Sequence, residues 1–174
     1  MTERTPNETI VLKRTDRAAP DWDQVRARLA ASPLPDTPGG HIHCVLGTAG
    51  ADGRPYLTRV GVRWFDGDLY FLSASTTRKS RNLAVRSDCA IALHLDEFDL
   101  TFDGEALPVQ DPAVLDAVGD LIRHSGWPVE RTEGGFTAPF GPPDTRPPWQ
   151  LYRFAFDSAL GQGAFGAIRW RFAG

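Results

Sequence analysis

The sequence predicts a mainly β domain: an antiparallel barrel, closed or split, with helices inserted between pairs of strands. Three observations predict it. From His41 the apolar period is two rather than 3.6. Two Asp-Gly pairs, Asp52-Gly53 and Asp66-Gly67, sit between alternating runs as tight hairpin turns. Short apolar runs then recur, separated by polar, Pro- or Gly-containing breaks.

Residues 1–20 are polar and end on Ala18-Ala19-Pro20, which predicts a flexible N-terminal arm before a single domain over 21–174. Asp21 opens a helix whose Trp22, Val25 and Leu29 recur at helical spacing and which stops at Ser32-Pro33. Strands are predicted over 41–48, 55–64 and 68–73, a meander on the two Asp-Gly turns. A short helix over 78–86 follows, then strands over 89–95 and 100–109, the latter with Gly104 inside it. Asp111-Pro112 supplies an N-cap and a first-turn proline for a helix with Val114, Leu115, Val118, Leu121 and Ile122 on one face, ending at Ser125-Gly126. Residues 127–149, with five prolines from Pro139 onward, predict a long loop with little regular structure. Strands over 151–157 and 164–172 return the chain to the sheet.

Composition narrows the function. A formal charge of −3 and a pI near 5.8 argue against nucleic-acid binding, which needs a surplus of Lys and Arg to displace counterions. A small-molecule partner is expected. No apolar run approaches the roughly 20 residues of a membrane span, and the first residues lack a signal-peptide core, so a cytoplasmic protein is expected. Cys44 and Cys89 fall in separate apolar runs and read as small buried side chains. His41 and His43 stand two apart with no third ligand at a recognisable spacing, so no metal site is predicted. Asp111, Asp116 and Asp120 read as a helix cap and a solvated helix face.

Two stretches carry chemistry. The segment SASTTRKSRNL brings hydroxyls at Ser73, Ser75, Thr76 and Thr77 to Arg78, Lys79 and the opening of a helix. Hydroxyl donors, fixed charge and helix-end amides together suit a phosphate; an ordinary capped, basic helix start is the other reading. In YLTRVGVRW, Thr58, Val60 and Val62 alternate with Arg59, Gly61 and Arg63, so one strand face carries two arginines around a bare backbone. Such a face admits a flat ligand at Gly61, with the guanidiniums beside its polar groups; an exposed barrel face with a bulge at Gly61 is the other reading.

The order DGRPYLTRVGVRW, DGDLYFLSASTTRKSRNL, CAIALHL, LTFDGEALPV and AIRWRF resembles the pyridoxamine 5′-phosphate oxidase-like, FMN-binding split-barrel family, over about residues 40–110 and the last strand. The resemblance implies a split β-barrel, FMN as cofactor and a homodimer with the flavin at the interface. It implies cofactor contacts for Thr58, Arg59 and Val60 along the ring, to which the strand reading adds Gly61; with a flavin bound, Arg59 would be an electrostatic stabiliser. It implies phosphate contacts for Ser73, Arg78, Lys79 and Asn82, and places Arg169 and Trp170 near the cofactor. The vitamin-oxidising members carry an Arg-x-His segment where this chain reads Arg169-Trp170-Arg171, so the vitamin substrate is not implied. The implied activity is an FMN-dependent oxidoreductase. A reductase using the deazaflavin coenzyme F420 and a non-catalytic flavin- or haem-binding protein are the alternatives. Trp127, Phe136, Phe140 and Trp149 are expected to wall a substrate pocket, on a loop that contributes little to the fold; aromatic plugs at a barrel end are the rival reading.

Overall fold

The computed structural model describes residues 4–31, 42–95, 97–141 and 145–173. The chain runs through β1 (Glu8–Arg14), α1 (Trp22–Ala30), β2 (Ile42–Ala49), β3 (Pro55–Phe65), β4 (Asp68–Ala74), α2 (Arg78–Val85) and β5 (Asp88–Leu95). It continues through β6 (Phe98–Pro108), α3 (Pro112–His124), β7 (Glu130–Thr132), β8 (Gly135–Thr137), β9 (Trp149–Gly163) and β10 (Gly166–Arg171).

The strands are antiparallel and join in the order β1-β10-β9-β4-β3-β2-β5-β6, and β6 pairs again with β9. That second pairing closes a six-stranded barrel from β9, β4, β3, β2, β5 and β6, with β10 and β1 continuing the sheet beyond it: a split barrel. Closure removes the exposed edges that an open sheet would leave. The β3–β4 turn adopts the expected hairpin geometry, with Asp66 at φ 47° and Gly67 at φ 88°, both in the region that a tight right-twisted turn demands.

Barrel closure depends on Gly104. At the β6–β9 seam the register shifts between Asp103 and Gly104, and a Cβ at Gly104 would lie 2.2 Å from the Ala155 carbonyl oxygen. The barrel interior is filled by Leu46, Val62, Phe71, Ile91, Phe102, Phe154 and Phe156. Trp22 of α1 plugs this core, packing on Trp170 with ring centroids 5.6 Å apart and on Phe172 at 4.7 Å. A second apolar cluster lies outside the barrel wall, where Val118 and Ile122 of α3 meet Tyr70, Val129, Phe136 and Leu151.

Three sequence expectations are corrected. The arm predicted over 1–20 contains β1, which pairs with β10 from Glu8 opposite Arg171 to Arg14 opposite Gly166. Its anchor is upstream: Arg4 lies 3.1 Å from the buried Asp68 carboxylate, and the Arg4 carbonyl accepts from the Trp22 indole at 2.9 Å. The long loop contains the β7–β8 hairpin, and Phe136 joins β8 to β9 opposite Trp149. The break predicted at 158–163 is absent. β9 is one strand of 15 residues, because its second half is hydrogen-bonded to β6 on one side and β10 on the other. The predicted helix stop at Ser32-Pro33 and the strand start at His41 lie outside the described residues, as does the side chain of His43.

Candidate functional site

The alternation of β3 sends Val60 and Val62 into the barrel core and Arg59, Gly61 and Arg63 to its outer face. That outer face forms the floor of a cavity of about 660 Å³, within the range of small-molecule and cofactor pockets. Exposure falls along it: Arg59 is exposed, Gly61 half-buried and Arg63 buried. The cover comes from α3, whose C-terminal end puts Ile122, Ser125 and Gly126 over the Arg63 end of the strand, and from the segment after it, which adds Trp127, Phe140 and Trp149. The other wall is β4 with Tyr70 and Leu72, and then Ser73 and Lys79 where α2 begins.

Charge sets the character of this cavity. Arg59, Arg63 and Lys79 line it, and no described lining residue is acidic, although the chain as a whole carries −3. Among the described residues Lys79 and the Arg59 guanidinium have no ion-pair or hydrogen-bond partner. Half-burial holds the Lys79 ammonium below its ordinary pKa, and burial brings Arg63 down to about 10, both through loss of hydration. Arg63 Nη2 donates to Ser125 Oγ at 2.9 Å, and Ser125 Oγ donates in turn to the Ile122 carbonyl at 2.7 Å. This chain ties the end of α3 to β3.

The covering segment is pinned by its indoles. Trp127 Nε1 donates to the Phe140 carbonyl at 2.8 Å and Trp149 Nε1 to Thr145 Oγ1 at 3.1 Å, while the two Trp rings lie 5.4 Å apart at 44°. Trp149 is 3% exposed and Phe140 60%, so the cavity has one fixed aromatic wall and one aromatic at its rim.

The structure brings Arg59, Val60, Gly61, Ser73, Lys79, Trp127, Phe140 and Trp149 together around one cavity. Other expected site residues lie elsewhere. Arg78 is exposed and lays its guanidinium 4.5 Å over the Tyr56 ring. Thr58 is half-buried, with Oγ1 3.5 Å from the Arg59 carbonyl oxygen and no place in the cavity wall. Asn82 is buried because α2 packs on β2, and its amide donates to Thr48 Oγ1 at 3.0 Å. Trp170 is a core side chain at 1% exposure, packed on Trp22 and outside the cavity lining. Phe136 is fully buried against α3 rather than in the cavity wall. Arg169 lies on β10, outside the cavity lining, with a buried Nε that has no hydrogen-bond partner among the described residues.

The hydroxyls around Ser73 serve the backbone. Ser73, Thr77 and Ser80 bond one another at 2.8–3.0 Å, and Thr77 caps α2 by accepting from the Ser80 amide at 3.3 Å. They fix where α2 starts, and so where Lys79 projects. Tyr70, Ile122, Ser125 and Gly126 are cavity residues without a signal in the local sequence, since only the docking of α3 on β3 and β4 makes them walls.

A second groove, bounded by β2, β5, β6 and β9, mixes Arg4, Arg86 and Arg153 with Asp88, Asp103, Glu105 and Asp157. Its opposite charges offset one another, and it has none of the one-signed character of the first. Among the described residues no group of three His, Cys, Asp or Glu side chains is placed to hold a metal ion, and no helix is long and apolar enough to cross a membrane. Burial pushes both thiols up to about 12, with Asp88 adding to the effect at Cys89, so neither forms a thiolate readily.

Known proteins resemble this chain in fold. A conserved hypothetical protein of Mycobacterium tuberculosis, Rv2991, superposes with a TM-score of 0.60 at 17% identity, covering 87% of this chain and 89% of that one. A haem-binding protein from Mycobacterium smegmatis gives 0.57 at 16%, covering 90% of this chain and 60% of that one. HutZ, the haem storage protein from Vibrio cholerae, gives 0.52 at 16%, covering 87% and 94%. No curated protein matches the chain by sequence. The family model described as pyridoxamine 5′-phosphate oxidase matches residues 38–139, a span holding β2 to β6, α2, α3 and the start of the covering segment, and the chain therefore belongs to the pyridoxamine 5′-phosphate oxidase family.

Proposed function

We propose that the chain is an FMN-dependent oxidoreductase acting on a small organic substrate. The observation that carries this reading is the outer face of β3: a bare backbone at Gly61 between Arg59 and Arg63, facing Lys79, in a cavity with three cations and no described carboxylate. A planar, phosphate-bearing cofactor satisfies all of these features. Bound FMN would supply the hydride chemistry, leaving the protein to bind, orient and polarise.

Lys79 and the first turn of α2 would hold the phosphate, Lys79 as a fixed charge that the Ser73–Thr77–Ser80 hydroxyl cluster positions. Arg59 would place positive charge beside the ring and stabilise negative charge on it. Trp127, Trp149 and Phe140 would exclude water from the substrate side.

The reading includes a homodimer. Leu57, 70% exposed, and Val45, 37% exposed, share the outer face of the sheet with Arg59, and Ala92 continues it on β5 opposite Val45. This apolar strip runs into the cavity mouth, so a second copy seated on it would complete the site. The partnerless Arg169 Nε fits a group supplied from outside the chain.

Two relatives of this fold carry haem in their names, which makes haem the competing ligand. Among the described lining residues there is no His, Cys or Met to serve as an axial ligand; the one phenol is that of Tyr70, whose pKa is raised by burial and by Asp68. The F420 coenzyme would draw on the same cations. The absorption spectrum of freshly purified protein tests the reading: a flavin band, or one that appears on adding FMN, supports it. A Soret band with no flavin uptake, or uptake of F420 but not FMN, overturns it.

A further inference from the structure

We propose that Phe140 selects the substrate by shape: with Trp127 it forms a flat apolar rim that favours a planar, fused-ring substrate over a puckered one of the same carbon skeleton. The inference rests on the cofactor reading above, because it gives the covering side of the cavity to the substrate once Lys79 and the outer face of β3 hold the flavin.

The rim is built, although Phe140 itself is exposed. Its carbonyl accepts from Trp127 Nε1 at 2.8 Å, which ties its backbone to the residue that follows the end of α3. The next position is glycine for a reason of space: a Cβ on Gly141 would lie 2.5 Å from Trp149 Cζ2. Trp149 is buried and donates to Thr145 Oγ1, so its indole is not free to swing aside. The backbone at 140 and 141 is thus held at two adjacent points, at a cavity that Phe140, Gly141, Trp127 and Trp149 all line.

The rim recognises shape rather than charge. Both indole N–H groups are taken up within the segment, by the Phe140 carbonyl and the Thr145 hydroxyl. None of the described lining residues from Ile122 to Trp149 is charged. What the two indoles and Phe140 offer a ligand is therefore ring surface, and offset or edge-to-face contact with such rings favours a flat π-system beyond the area it buries. Phe140, at 60% exposure, has most of its surface still to bury, whereas Trp149 at 3% has almost none. The larger gain on binding falls to Phe140.

The test is calorimetric titration of the full-length protein, saturated with FMN, with 2-naphthamide and with its fully hydrogenated analogue, decahydronaphthalene-2-carboxamide. Hydrogenation keeps the carbon skeleton and the amide but puckers the rings, so apolar burial alone gives the flat compound no advantage. Wild type should bind naphthamide at least about fivefold more tightly, the scale of one aromatic pair. Phe140→Leu should cut that preference at least about threefold, and Phe140→Tyr should retain it. Because Phe140 is exposed, both variants keep the fold, and a lost preference is not a folding defect. Equal wild-type affinities overturn the proposal, as does a preference that survives Phe140→Leu or disappears in Phe140→Tyr. FMN titration of the same preparation separates the two readings: failure to bind FMN overturns both, while an FMN-loaded protein without preference overturns the role of Phe140 alone.

Discussion

The Phe136 ring packs against Gly119, so closely that a Cβ on the glycine would sit 2.8 Å from Phe136 Cε1. This contact fastens the covering segment to α3, and α3 to the barrel. The segment is therefore part of the fold as well as of the cavity wall. Phe136→Ala should cost about 3–5 kcal/mol, the usual range for emptying a buried aromatic site. In a chain of this length that lowers the melting temperature by roughly 10 °C. A thermal unfolding curve that moves by less than about 2 °C would show the segment to be an independent flap.

Gly104→Ala should be among the most damaging single-methyl changes in the chain. The added Cβ would meet backbone at Ala155, which cannot swing aside as a side-chain tip can, and the seam it disturbs is the β6–β9 closure of the barrel. The expected result is loss of several kcal/mol, seen as a lower urea midpoint or as insoluble expression. Gly53→Ala is the internal comparison: nothing lies within 4 Å of its added Cβ, so its cost is limited to backbone strain at φ 77°.

Lys79 couples ligand affinity to pH. Burial depresses its folded pKa, so without an anion the charged form costs stability at neutral pH, and this cost is relieved as pH rises through the folded pKa towards the unfolded value near 10.4. Lys79→Met should therefore unfold at a higher temperature than ligand-free wild type at pH 7, with the difference shrinking above about pH 10. FMN should reverse the order at pH 7. The check is paired melting curves with and without FMN at both pH values, and a wild type more stable than the variant without FMN would contradict it.

Leu57→Glu puts a charge in the middle of the exposed apolar strip. If a second copy covers that strip, the variant should sediment as a monomer and bind FMN at least about tenfold more weakly, as expected for loss of an interface anchor. A wild type that is already monomeric at micromolar concentration, by sedimentation velocity, would remove the partner from the account.

Local signals made most of the barrel legible. The Asp-Gly turns fixed the β3–β4 hairpin, Asp111-Pro112 marked the start of α3, and the alternation about Gly61 gave the floor of the cavity before any packing was known. β1 was not legible, because it is held by backbone pairing to an edge and only Ile10 is half-buried, so no apolar alternation marks it. The burial of Arg63 was not legible either: it follows from α3, some sixty residues later in the chain, closing over β3. Asn82 and Trp170 are expected cofactor contacts only through the family resemblance; their packing on Thr48 and Trp22 is not legible in the sequence, because those partners come from distant strands and helices.

The most direct test of the central claim, that the outer face of β3 and the start of α2 hold a phosphate-bearing flavin, is a pair of fluorescence titrations with FMN and with riboflavin. The proteins compared are wild type, Lys79→Met and Arg78→Ala. The account predicts that wild type prefers FMN, that Lys79→Met weakens FMN about tenfold or more while leaving riboflavin unchanged, and that Arg78→Ala does less because its guanidinium lies over Tyr56. Equal affinity of wild type for the two flavins, or an equal loss of both in Lys79→Met, would contradict it.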